Sequence, residues 1–170
     1  SATRPTSESI MRILMISDVY FPRVNGVSTS IQTFRNDLTA AGHSVMLVAP
    51  HYPENPADSD TDVLRVPSWQ VPRDPEDRYM SRRAIRAQWP RIADFNADLV
   101  HVQTPFVAHY AGIEIARRLR VPLVETYHTY FEHYLQHYVP AVPASLLRAL
   151  SRRFTVRQCS QVDAFISPSQ

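Results

Sequence analysis

Ile13-Leu14-Met15-Ile16, and a few residues later Phe21-Pro22-Arg23-Val24-Asn25-Gly26-Val27-Ser28, is the stretch that decides the fold. An apolar run of strand length passes into a turn with proline and glycine, and the turn leads straight into a helix-period pattern. A strand apolar on both faces that feeds a helix is the first half of a βαβ unit. Such a junction sets backbone N–H groups and a helix N-terminus at the carboxyl edge of a parallel sheet, which favours an anion or a polar ligand. Gly26 is one of three glycines in the chain; as glycine it can take φ > 0 and lets a ligand or another backbone come close. Asn25, Gly26, Val27 and Ser28 are therefore candidate ligand contacts. The plainer reading of the same residues is a turn with Ser28 as helix N-cap. No G-x-G-x-x-G is present, so the dinucleotide fingerprint is missing.

The pattern repeats along the chain. Strands are expected at Met11–Ser17, Val45–Ala49, Val63–Val66, Leu99–Val102, Leu123–Thr126 and Ala164–Ile166. Helices are expected at Ser28–Ala41, closed by Gly42, at Ser81–Asn96 with a kink or restart at Pro90, at Phe106–Leu119, and at Ser145–Ser160. Pro67–Pro75 reads as irregular and His51–Asp62 as a polar loop. Ser1–Ile10 reads as a flexible extension outside the fold. Alternating apolar strands and helices imply an α/β, Rossmann-like fold: a mostly parallel sheet covered on both faces, ordered 3-2-1-4-5 with one further strand. The chain stops just after a strand and a turn, which suggests a cut within a larger protein.

The chain has 170 residues, 44% hydrophobic and 20% charged, as in globular domains with a sizeable core. No apolar run approaches the length of a bilayer span, and no signal-peptide pattern opens the chain. The single Cys159 excludes an internal disulfide and suggests a reducing, cytoplasmic compartment. All 18 basic residues are arginine, which removes Schiff-base and lysine-base mechanisms. A net charge of +2 gives no argument for nucleic acid. The arginines do cluster, around Arg82, Arg83 and Arg86 and again around Arg152 and Arg153, beside apolar stripes. A solvated helix face is the plainer reading; contact with an anionic membrane surface is the sharper one.

Three further places carry possible chemistry. Glu125-Thr126-Tyr127-His128-Thr129 ends a strand, so His128 falls at the sheet edge, placed for hydrogen bonding or proton transfer. Gln103 and Thr104 end a neighbouring strand and should flank the same crevice, with His101 behind them as a packed core group. Tyr127, Tyr130, Phe131, Tyr134 and Tyr138 form an aromatic stretch suited to an amphipathic acceptor. His133 and His137 stand one helical turn apart, but Tyr134 occupies the place where a zincin needs Glu, so no metal site is assigned. Asp58-Ser59-Asp60 contains D-x-D, which in this proline-rich context reads as a solvated loop.

Together these residues resemble a family. Ile13–Ser17 with Asp18-Val-Tyr-Phe-Pro-Arg-Val-Asn-Gly-Val-Ser28 looks like the opening of the retaining glycosyltransferases of family 4, which have the GT-B fold. Leu99-Val-His-Val-Gln-Thr-Pro-Phe106, Val121-Pro-Leu-Val-Glu-Thr-Tyr-His-Thr129 and Phe165-Ile-Ser-Pro-Ser169 are similar to its later landmarks, in order. Within the family the chain looks most like members that glycosylate lipids such as diacylglycerol or phosphatidylinositol. The resemblance implies that residues 11–170 are the N-terminal, acceptor-side half of a two-domain enzyme, the donor-binding C-terminal domain lying outside this chain. It implies a UDP- or GDP-linked sugar donor, a lipid or sugar acceptor, no cofactor and no metal. His128 would be the catalytic group, more positioning and electrostatic than basic. Asn25, Gly26, Val27, Ser28, Gln103, Thr104, Tyr127 and Thr129 would bind donor or acceptor. The protein would be cytoplasmic and peripheral at the inner membrane face. A stand-alone Rossmann-like binding or regulatory module is the competing reading from another class.

Overall fold

The computed structural model describes residues 9–54, 60–71, 74–128 and 144–167. Thr129, the aromatic stretch through Tyr138 with its two histidines, and Asp58 lie outside the described residues.

Eight strands and five helices are described: β1 (Arg12–Ile16), α1 (Gly26–Ala40), β2 (Ser44–Pro50), β3 (Val63–Val66), β4 (Ser68–Val71), β5 (Asp74–Met80), α2 (Arg82–Ala87), α3 (Trp89–Phe95), β6 (Leu99–Val102), α4 (Val107–Leu119), β7 (Leu123–Thr126), α5 (Ala144–Cys159) and β8 (Ala164–Ile166). Six strands form one sheet in the order β3-β2-β1-β6-β7-β8, every pair parallel. With the β4–β5 pair set aside, this is the expected Rossmann-like order, 3-2-1-4-5 plus one strand.

Strand alternation divides the core into two layers. Leu14, Ile16, Val48, Val100, Val102 and Leu123 face α2, α3 and α4. Ile13, Met15, Val45, Leu47 and Val63 face α1, through Ile31, Phe34 and Leu38. Because both faces are covered, the strands can be apolar throughout, which is why the sequence shows runs and not alternation.

Two local expectations need correction. The described part of Pro67–Pro75 is not all irregular: β4 and β5 pair antiparallel, Trp69 opposite Tyr79 and Gln70 opposite Arg78, with a register shift at Gln70/Val71. In a two-stranded ribbon every strand is an edge, so Pro75 removes no necessary ladder bond. The helix expected from Ser28 begins at Gly26. Its other end is as expected: Gly42, at φ +91°, donates to Thr39 while the His43 N–H returns to Leu38. The restart near Pro90 is the Gln88 break between α2 and α3, with proline in the first turn of α3.

Candidate functional site

The carboxyl edge of β1 passes through a loop into α1. Asn25 caps this helix, its side chain accepting from the Ser28 N–H at 2.8 Å. The expectation that Ser28 caps is therefore corrected: Asn25 stands three residues earlier, where its oxygen reaches the amide that needs a partner. Ser28 is fully buried, and its hydroxyl has no hydrogen-bond partner. Val27 packs against the α1-side core. Gly26 is also corrected. It is the first residue of α1, and Gly42 is the glycine that lies at positive φ. A Cβ at Gly26 would meet nothing within 4 Å. Among the described residues nothing demands a glycine there, and the space beside it is open.

The ends of β6 and β7 bring a second group to the same edge. The register pairs Val102 with Glu125, so continued alternation puts Gln103, Thr126 and His128 on the α1 side of the sheet. Gln103 is fully buried, and its Oε1 lies 2.7 Å from Nε2 of His128. Burial pushes the half-buried His128 below the usual histidine value, so the ring is neutral near pH 7. Tyr127 lies against Phe165 with ring centroids 5.9 Å apart. His101 is the packed core group it was expected to be: its Nε2 meets Thr126 Oγ1 at 2.7 Å and its ring meets Phe34 edge-on. Burial, reinforced by His128, pushes His101 down to about 4.

Thr104 is buried as well and engages Asp18, a residue the sequence reading did not single out. The Thr104 hydroxyl accepts from the Asp18 N–H at 2.8 Å and donates to Asp18 Oδ2 at 2.6 Å. The same carboxylate receives the Ala108 N–H at 3.1 Å. Phe106, the N-cap residue of α4, makes no side-chain cap, so Asp18 caps that helix from across the sheet edge. Burial pushes Asp18 up to about 6 against the opposing pull of Thr104 and the amides of Ala108, Phe106 and Val107.

Also outside the sequence reading is a buried pair on the α4 face. His109 Nδ1 lies 2.9 Å from Glu125 Oε2, and its Nε2 lies 3.2 Å from Gln161 Oε1. Burial alone would lower His109, but Glu125 outweighs it and the imidazole is raised. A polar residue on an apolar stripe, His109 beside Ala108, Ala111 and Gly112, was the signal available in the sequence.

Beside the β1–α1 loop lies a cleft of about 480 Å³, lined by Arg23, Val24, Tyr52, Glu54, Gln70 and Arg78 among others. Two hydrogen bonds to Ser68 hold the Arg78 guanidinium. Asp60 of the D-x-D stretch is not merely solvated: the buried Arg35 of α1 grips both its oxygens, at 3.0 and 3.2 Å. Of the arginines proposed for a membrane, Arg82 and Arg86 both reach Glu114 of α4, at 3.1 and 2.7 Å. Arg83, Arg152 and Arg153 are exposed. No described helix is long and apolar enough to cross a membrane.

The chain is similar to known proteins over most of its length. Residues 24–170 match the domain described as Glycosyltransferase Family 4. The chain is 34% identical to an alpha-monoglucosyldiacylglycerol synthase of Streptococcus pneumoniae, over 94% of this chain and 36% of that protein. It is 31% identical to an enzyme of the same name from Acholeplasma laidlawii, over 76% of this chain and 32% of that protein. It is 29% identical to a GDP-mannose-dependent alpha-mannosyltransferase of Mycolicibacterium smegmatis, over 94% of this chain and 42% of that protein. The chain thus spans between about a third and two fifths of the length of these relatives. With the Rossmann-like sheet and the ordered landmarks at its carboxyl edge, that match establishes that the chain belongs to Glycosyltransferase Family 4.

Proposed function

We propose that the full-length protein transfers a hexose from a UDP- or GDP-linked sugar to a lipid acceptor with retention of configuration, and that this chain is its acceptor-side half. The observation that carries the reading is the meeting of His128 and Gln103, 2.7 Å apart, at the sheet edge that also holds the Asn25–Ser28 loop. The names of relatives support it, one group being synthases of a glucosyl diacylglycerol and another being GDP-mannose-dependent.

In this reading the donor diphosphate approaches the open side of Gly26 and the first amides of α1, where the helix dipole favours negative charge. His128 hydrogen-bonds the transferring sugar. The acceptor hydroxyl attacks from the face the nucleotide leaves, and the departing phosphate takes its proton. His128, neutral near pH 7, orients and stabilises without moving that proton. The cleft between Arg23, Glu54, Gln70 and Arg78 is roomy and polar enough for an acceptor headgroup. Thr129, Tyr127 and the buried Thr104 complete the proposed binding set. The enzyme works at the inner membrane face and needs no metal.

The test is a screen of UDP- and GDP-linked hexoses with the full-length protein, against vesicles carrying diacylglycerol or phosphatidylinositol. Labelled sugar is expected in the lipid fraction. His128→Ala should lower kcat by about 10²-fold while leaving the fold intact, because the sugar loses the hydrogen bond that orients it. Transfer only to soluble acceptors, or an active His128→Ala enzyme, would overturn this assignment.

A further inference from the structure

Which way His128 hydrogen-bonds decides what it can hold. A neutral imidazole has one N–H and one lone pair, and the bond made by one nitrogen dictates what the other offers. Here Nε2 faces the side-chain oxygen of Gln103 at 2.7 Å, and that oxygen can only accept. Gln103 follows directly on β6. It is fully buried, and its own backbone N–H is tied to Ile16 at 2.9 Å. Its amide nitrogen is buried without a partner. The titratable neighbour on the same side of the sheet is His101, itself tied to Thr126. Glu125 is turned to the opposite face, against His109.

We propose that Gln103 is a positioning residue that holds His128 as the Nε2–H tautomer, so that Nδ1, the ring nitrogen left for a ligand, is a hydrogen-bond acceptor. The consequence is selective. Nδ1 takes a hydroxyl, which has a hydrogen to give, and rejects an ionised phosphate oxygen, which has none. His128 therefore reads a sugar or acceptor hydroxyl, and the diphosphate is left to the β1–α1 loop. This rests on the reading of His128 as the sugar-facing group, but its test does not use turnover.

The chain is labelled with ¹⁵N-histidine, and imidazole nitrogen shifts are recorded through a pH titration. The His128 signal is identified by its loss in His128→Gln. In the neutral form of the wild type, Nε2 is expected to show the protonated, pyrrole-type shift and Nδ1 the lone-pair type. Gln103→Glu can only accept, so it should keep that tautomer and raise the His128 pKa by about one to three units, as a carboxylate next to an imidazole does. Gln103→Leu should leave a mixture of tautomers. A wild-type Nδ1–H form, or a tautomer reversed by Gln103→Glu, would overturn the proposal, as would one indifferent to Gln103→Leu. If Gln103→Leu does not fold, the wild-type and Gln103→Glu spectra still decide. A failed transfer assay with the expected tautomer would instead count against the glycosyltransferase reading.

Discussion

His101 and His109 are both buried imidazoles, yet their surroundings drive them in opposite directions. His109 faces Glu125 and is raised; His101 faces a hydroxyl and another histidine and is pushed down to about 4. A histidine whose folded pKa lies below its unfolded value of 6.5 stabilises the fold fully only above that value. As pH falls from there towards 4, the unfolded chain takes up the proton first and stability drops. His109 and Asp18 act with the other sign, losing stability as pH rises, so wild type alone gives a mixed profile. The informative comparison is with His101→Gln. Urea unfolding at about pH 7 and about pH 4.5 should show wild type losing about 2 kcal/mol more than the variant across that interval. Equal losses would mean that His101 is not held neutral. The sequence placed His101 inside a strand and so in the core. It could not give the partner, because Thr126 is 25 residues away and the contact depends on the β6–β7 register.

At the level of elements, α4 is fixed at two points. Its N-terminus is capped by Asp18 from β1's carboxyl end, and its middle is pressed onto β6 at Gly112. A Cβ at Gly112 would stand 2.4 Å from Val102 Cγ2, a stiff β-branched side chain in the core. Alanine would normally gain about 1 kcal/mol over glycine in a helix. Overpacking costs roughly 1–3 kcal/mol and should prevail, because Val102 has no exposed side to retreat to. Gly112→Ala is therefore expected to lower unfolding stability, and Val102→Ala in the same chain to recover much of the loss. An alanine variant as stable as wild type would show that α4 can lift off the sheet at little cost. The strands and most helices were legible because apolar runs bounded by Pro, Gly or Asn are local signals. The β4–β5 ribbon was hidden by its prolines, which read as breakers unless both strands are known to be edges. The cap by Asp18 spans 90 residues and leaves no local trace.

For the whole molecule, the question is whether its basic surface meets a membrane. The arginine clusters contain no acidic residue in sequence, and from that alone each looks like free positive charge. Folding changes the count at α2, because α4 brings up Glu114. Arg86 first, then Arg82, hold its carboxyl down to about 2, so it stays ionised at any working pH. One acid against Arg82, Arg83 and Arg86 still leaves that patch basic, with Arg152 and Arg153 exposed on α5. Each basic residue near an anionic surface contributes on the order of 1 kcal/mol, screened within a Debye length of about 10 Å at 0.1 M salt. We expect weak, salt-sensitive co-sedimentation with anionic vesicles and none with neutral ones. Serine at Arg82, Arg83 and Arg86 should abolish most of it. Glu114→Gln separates this reading from a merely solvated face. It removes the acid while keeping the side chain's size, so affinity for anionic vesicles should rise by several-fold, while a face with no membrane role would show no change. Equal binding to neutral and anionic vesicles, or none at low salt, would leave the basic helices as ordinary solvated surface and make a soluble acceptor the better candidate.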